Sequence, residues 1–440
     1  MHVWMLAFIF TISTSFLVPT ILAGAEPPPP LQPGQNASVQ SYTGPGSCAS
    51  SNCHGGVWPK TGTRVGQDEY FTWHGKDKHS KAFAVLLEPR SKQIAKNLGL
   101  EAPATTVRCL DCHSTNVPET RRARSFDLSD GVGCESCHGP ASGWLGPHTT
   151  RSWTHAESVK AGMLETKEIA KRVEVCLPCH VGDGNKTVDH QLIAAGHPDL
   201  NFEFETFVAL MPAHWKPENE KTAGATRWAL GQAIAFRENM RQFSARIKGK
   251  AWESWPDFAD FECSSCHHNL VTPSARQLRG FSGRAAAPSW NEARYLLFRP
   301  ALLAISPSHR KALDTVVAEL KLHLQSPFAS RSQAAAAADR SVEIAAQAIA
   351  AIEKNALDSK VTLEIIRAIT SDASTIAFAG IRSAEQAVMS LDSLHNSLGS
   401  SKLDDAVNQQ IGRLYDLLKS QSGYDPALFA RELQKVGTLF

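Results

Sequence analysis

Gly131-Val132-Gly133-Cys134-Glu135-Ser136-Cys137-His138-Gly139-Pro140 is the stretch that decides how this 440-residue chain is read. Two cysteines are separated by two residues, a histidine follows the second directly, and glycines flank the whole. The same C-x-x-C-H order recurs at Cys109-Leu110-Asp111-Cys112-His113, Cys176-Leu177-Pro178-Cys179-His180 and Cys263-Ser264-Ser265-Cys266-His267. A longer C-x4-C-H form runs from Cys48 through Cys53 to His54. These five segments use all ten cysteines of the chain. A disulfide framework has no reason to place a histidine after every pair. Structural zinc sites gather two cysteine pairs around one ion and do not need that histidine. A thioredoxin-like redox motif would stand alone in a βαβ setting.

C-x-x-C-H is the attachment signature of c-type haem. Thiols one helical turn apart reach the two vinyl groups on one porphyrin edge, and the adjacent histidine swings beneath the iron as its proximal ligand. The expected cofactors are therefore five haem c groups, with His54, His113, His138, His180 and His267 as proximal ligands. In the first motif two additional residues must bulge between the thiols, while the Cys-His end is unchanged.

Each iron needs a sixth ligand or stays open. The chain has seventeen histidines, and eight beyond the motifs fall in the same half. His79, before an apolar stretch, His148, on a glycine-rich loop, and His197, held by Pro198, rank first as distal ligands. His214 beside Trp215 and then His190 follow, ahead of His74 and His155. Methionine is scarce near the motifs, so bis-histidine irons of low potential are expected, because axial ligand identity is a main lever on potential.

Around this core the chain divides into four parts. Residues 1–25 are almost wholly apolar up to Ala23-Gly24-Ala25, an A-x-A cleavage pattern, and read as a signal peptide. A runner-up reading keeps the segment as a membrane anchor; either way the cysteines lie outside the cytoplasm, in the periplasm of an exporting cell. Membrane contact is expected only if that segment is retained. Residues 26–40 form a proline-rich linker, 41–280 a loop-rich cytochrome c domain, and 281–440 a cysteine-free helical domain. In the last part Ser289 with Glu292 suggests a capping box, and Ser306-Pro307 opens a helix with Leu313, Val316, Val317, Leu320 and Leu324 at helical spacing. Residues 332–356 are alanine-rich, Ser401 with Asp404 resembles another N-terminal box, and Asp425-Pro426 starts a last short helix. The fold class is thus mainly α, with a bundle-like C-terminal part.

Lys plus Arg total 45 against 43 Asp plus Glu, a formal charge of +2. That balance excludes a dedicated nucleic-acid binder. A ferric haem with two propionates contributes about −1, so five take the chain to about −3, a charge suited to brief docking on redox partner proteins.

The residues from Trp73 to Ala82 around His79, then Cys109 to His113, the Gly131-to-Pro140 string with His148, and Cys176 to His180 resemble, in that order, the tetrahaem cytochrome c of ammonia-oxidising bacteria that accepts electrons from hydroxylamine oxidoreductase, and its multihaem relatives. The likeness covers roughly residues 41–185. It implies a mostly helical fold with closely stacked haems, distal ligation by His79 and His148, and room for one five-coordinate iron. This chain departs in its longer first motif, its fifth motif at Cys263 to His267 and its C-terminal helical part. The leading function is electron transfer along five haems. The alternative is an oxidoreductase acting on a small nitrogen or sulfur compound at an open iron; no C-x-x-C-Lys motif is present to mark one kind of nitrite-reducing haem.

Overall fold

The computed structural model describes residues 40–440 except 64, 217–223, 250–254, 269–270, 273–286, 327–329 and 400–403. The signal peptide and nearly all of the linker lie outside the described residues. Among those described there are helices and turns but no strand, only the isolated bridges Tyr42–Arg122 and Phe261–Trp290. No helix among them is long and apolar enough to cross a membrane.

The first helices are short: α1 Glu69–Lys76, α2 Ala82–Val85, α3 Pro89–Asn97, α4 Val107–His113, α5 Cys134–His138, α6 His155–Lys160, α7 Ile169–His180, α8 His190–Ala194 and α9 Phe204–Leu210. Then comes α10, Gly224–Lys248, 25 residues long. The remainder is α11 Ala293–Ile305, α12 Pro307–Leu324, α13 Arg331–Lys354, α14 Ser359–Ser371, α15 Ala373–Ala379, α16 Ile381–Ser397, α17 Asp404–Leu417 and α18 Pro426–Gly437.

One hydrophobic core runs from Ile169 to Val436, so it takes in helices on both sides of residue 280. α10 is its axis. Trp228, Ala229, Ala233, Ile234 and Phe236 are fully buried on it, with α13, α7, α11, α16 and α9 packed around. The alanines of α13 explain the closest of these contacts. Ala334, Ala337, Ala338, Ala345 and Ala348 are all fully buried, and side chains that small let two helices approach tightly. Leu313, Val316, Val317, Leu320 and Leu324 of α12 are buried as their spacing predicts. The Asp425 carboxylate accepts from the N–H groups of Ala427 and Leu428 at 2.9 and 3.1 Å, and Pro426 opens α18; this satisfies donors that a helix start leaves unpaired. Phe236 packs on Phe298 with ring centres 5.4 Å apart, both fully buried. Phe236→Ala is expected to destabilise the protein by about 3–5 kcal/mol through the cavity it leaves, measured by denaturant unfolding followed by far-ultraviolet circular dichroism.

One local expectation differs. No capping box forms at Ser289. The helix starts at Ala293, with Glu292 at its cap and no side-chain bond there. Ser289 instead joins the fifth motif: its carbonyl accepts from Glu262 N–H at 2.8 Å and its N–H donates to Ser265 Oγ at 2.9 Å.

Candidate functional site

The five motifs fold as their spacing requires. Cys109 to His113 closes α4, Cys134 to His138 is α5, and Cys176 to His180 closes α7. Cys263 to Ser265 is a 3-10 turn, after which His267 N–H donates to Cys263 O at 2.8 Å. In the longer first motif the additional residues fold back. Cys53 N–H donates to Ser50 O at 2.8 Å and His54 N–H to Cys48 O at 3.1 Å, returning the histidine to the first cysteine. None of the ten cysteines is in a disulfide.

The decapeptide from Gly131 is the hub. Glu135 is buried, and its carboxylate accepts from Thr43 N–H at 2.9 Å, Gly44 N–H at 2.7 Å and Ala141 N–H at 2.7 Å, tying the approach to the first motif onto the third. Ser136 Oγ lies 2.7 Å from Thr115 Oγ1, which binds the third motif to the segment leaving the second. Gly131 has φ +75°, and a Cβ there would meet His79 O at 2.7 Å. A Cβ on Gly133 would meet Pro45 at 2.6 Å. Only glycine permits both approaches, and Val132 N–H then donates to His79 O at 3.0 Å.

The structure sets each motif histidine opposite one more histidine at nearly one ring-centre distance. The ring centres of His54 and His148 are 6.3 Å apart with planes at 6°. His113 and His197 are 6.3 Å apart at 86°, His138 and His214 6.4 Å at 80°, and His79 and His180 6.1 Å at 88°. His190 and His267 are 6.4 Å apart at 29°. These are pairs 1 to 5 in motif order: His54, His113, His138, His180 and His267. With a metal–imidazole bond of about 2 Å and each ring centre about 1.1 Å beyond its ligating nitrogen, two imidazoles on opposite faces of one iron have centres about 6.2 Å apart. All five candidate distal residues, His79, His148, His197, His214 and His190, stand at that distance. His74 and His155 do not. His74 stacks on Tyr70 at 5.8 Å, and His155 Nε2 meets the Glu165 carboxylate at 2.9 Å. His309 meets Ser306 Oγ through Nδ1 at 2.7 Å at the start of α12.

The donor chemistry fits haem iron. Burial pushes His138 and His180 down to about 4, which keeps both rings neutral with a lone pair to give. Nδ1 is engaged elsewhere in five of the paired rings: His54 with Glu69 Oε2 at 3.0 Å, His79 with Asp77 Oδ1 at 3.0 Å, His113 with Ala82 O at 3.0 Å, His148 with Leu145 O at 2.6 Å and His197 with Pro198 O at 2.7 Å. That leaves Nε2 for the metal and fixes each ring's orientation. The bonds from Glu69 and Asp77 raise His54 and His79 against burial. Burial pushes both carboxyls up, but the histidine bonds together with backbone N–H donors and the histidine charge outweigh it, and both lie below the usual carboxylate range. Sequence reasoning did not single out these two acids. Asp77 had a legible signal, an Asp two residues before a candidate ligand and able to cap the turn that carries it; Glu69, fifteen residues from His54, had none.

The pairs also adjoin one another. The side chain of Cys48 lies beside that of Cys134, and that of Cys112 beside that of Cys179. Cys137 lies within electrostatic reach of Cys179 and Cys176. Arg108, beside Cys109, pairs with Asp189, beside His190, at 2.6 Å. The order of neighbours is therefore pair 1, 3, 4, 2, 5.

Residues 48–139 match the family model of cytochrome c554 and c-prime. Cytochrome c554 similarity thus covers the first three motifs and His79, and it supports a c-type cytochrome electron carrier with covalently bound haem. No curated protein and no solved structure matches the chain.

The fifth motif, beyond the cytochrome c554 span, is braced by the helical core. Arg246 of α10 donates through Nε to Asp260 at 3.0 Å. Arg382 of α16, itself buried, donates to Ala259 O at 2.9 Å and Phe261 O at 3.1 Å and pairs with Asp199.

Proposed function

We propose that the chain is an exported five-haem c-type cytochrome that moves electrons along a row of bis-histidine irons, in the order 1, 3, 4, 2, 5. The observation that carries this reading is the set of five histidine pairs with ring centres 6.1–6.4 Å apart. Thiols hold each porphyrin edge, the motif histidine supplies one axial bond and the facing histidine the other. An iron with both axial positions filled exchanges electrons with little rearrangement of its bonds, which suits a carrier and leaves no position for a substrate. Neighbouring motifs are close enough for successive hops, so no mobile cofactor is needed between them. Redox partner proteins supply and remove the electrons at the two ends of the row. The C-terminal helices serve as the frame that holds pair 5.

The test is the intact mass of the matured protein together with rapid reduction. The mass exceeds the bare polypeptide by five haems, and all five irons fill in one connected sequence. A smaller haem count, or an iron that stays oxidised while its neighbours fill, contradicts the proposal. The framing role has its own expected result. Arg382→Leu removes the donors on Ala259 and Phe261 and frees the loop ahead of Cys263. One low-spin signal of five is then lost or broadened by electron paramagnetic resonance, while the other four persist.

A further inference from the structure

Resting on the bis-histidine reading above, we propose that Glu69 and Asp77 are positioning residues that set the order of potentials along the row, holding the irons of pairs 1 and 4 below those of pairs 2 and 3. The partners of Nδ1 differ from pair to pair. His54 and His79 meet carboxylates, Glu69 and Asp77, each at 3.0 Å. Both rings of pair 2 meet backbone carbonyls, Ala82 O and Pro198 O. In pair 3, His214 Nδ1 is buried with no partner among the described residues.

A carboxylate on the Nδ1 proton draws it away from the ring and leaves negative charge on the imidazole. The ring then donates more strongly to iron, and ferric iron gains more from this than ferrous. A neutral carbonyl does the same more weakly, and an unpartnered Nδ1 not at all. Both acids are built for the task. Glu69 opens α1, its Oε1 accepts Gln67 N–H at 3.0 Å, and its side chain is only 14% exposed. Asp77 is buried and accepts His79 N–H at 3.0 Å through the same oxygen that meets Nδ1. Since pair 3 lies between pairs 1 and 4, an electron entering this end of the row comes to rest on pair 3, flanked by two irons that release electrons more readily.

The experiment is a reductive titration of the five-haem protein followed by electron paramagnetic resonance, on the parent chain, Glu69→Gln and Asp77→Asn. Both replacements keep the shape and one acceptor oxygen for the backbone N–H and remove the charge. Ring-plane angles identify the centres: pairs 1 and 5 are near parallel, pairs 2, 3 and 4 near perpendicular. In the parent, one of the three perpendicular centres is reduced after the other two. Asp77→Asn closes that gap, and Glu69→Gln raises one near-parallel centre, each by about tenfold in the reduction equilibrium, or about 59 mV for one electron. Midpoints unmoved in variants that retain five low-spin haems overturn the proposal. So does a parent in which the three perpendicular centres titrate together, a result that needs no variant to fold. A parent with fewer than five haems, or with high-spin iron, overturns the ligation reading instead.

Discussion

His79→Ala converts one iron per chain from low-spin to high-spin and leaves four unchanged. His79 is fixed from three sides. Asp77 holds its Nδ1 at 3.0 Å, Val132 N–H donates to its carbonyl, and Gly131 lets the chain come that close. Its ring centre stands 6.1 Å from that of His180. With alanine there, His180 remains as the single axial imidazole, and an iron with one strong axial ligand is high-spin when ferric. The signal lost belongs to the perpendicular class, since this pair crosses at 88°. Added imidazole fits the space and restores the low-spin form. An unchanged spectrum removes His79 from the ligand set.

Glu135→Ala has the largest effect on folding. The carboxylate is buried and receives three backbone N–H groups, from Thr43, Gly44 and Ala141. Removing it strands those donors away from water at about 1–3 kcal/mol each. The sum is comparable with the whole stability of a typical domain, about 5–15 kcal/mol. The segment around Thr43 and Gly44 leads directly into the first motif, so its release separates the first motif from the third. The expected result is early thermal loss of the low-spin ligation of pairs 1 and 3, with the haems still tethered, and new protease cleavage near Thr43. Glu135→Gln, which keeps an acceptor oxygen, is expected to lose less. Equal melting of Glu135→Ala and the parent contradicts this role.

Much of the site was legible because its chemistry is local. The five motifs are contiguous strings, and each folds into one turn that sets thiols and histidine together. The surplus of histidines marked candidates for sixth ligands, and the five ranked highest are the five that stand 6.1–6.4 Å from a motif histidine. Which faces which was not legible. His54 meets His148 across more than ninety residues, and nothing in the local sequence selects that partner over His79. The helix α10 was also missed. A surface helix shows an apolar stripe, but α10 has neighbours on several sides, so Thr226, Gln232 and Ser244 are buried among its apolar residues and the period is blurred. Ser289 failed as a cap signal for a different reason: its backbone is already committed to the fifth motif. In the C-terminal helices, where one face packs and the other is wet, the spacing of Leu313 to Leu324 read correctly.

Bis-histidine ligation requires each motif histidine to share one iron with the histidine it faces. Electron paramagnetic resonance of the fully oxidised protein, integrated against its haem content, tests this most directly. Near-parallel rings load the same iron orbital and split it from its partner, whereas crossed rings leave the two almost equal and widen the spectrum. Bis-histidine ligation at all five sites gives five low-spin irons, two of the near-parallel kind and three of the crossed kind. A high-spin ferric signal amounting to one iron per chain would contradict it.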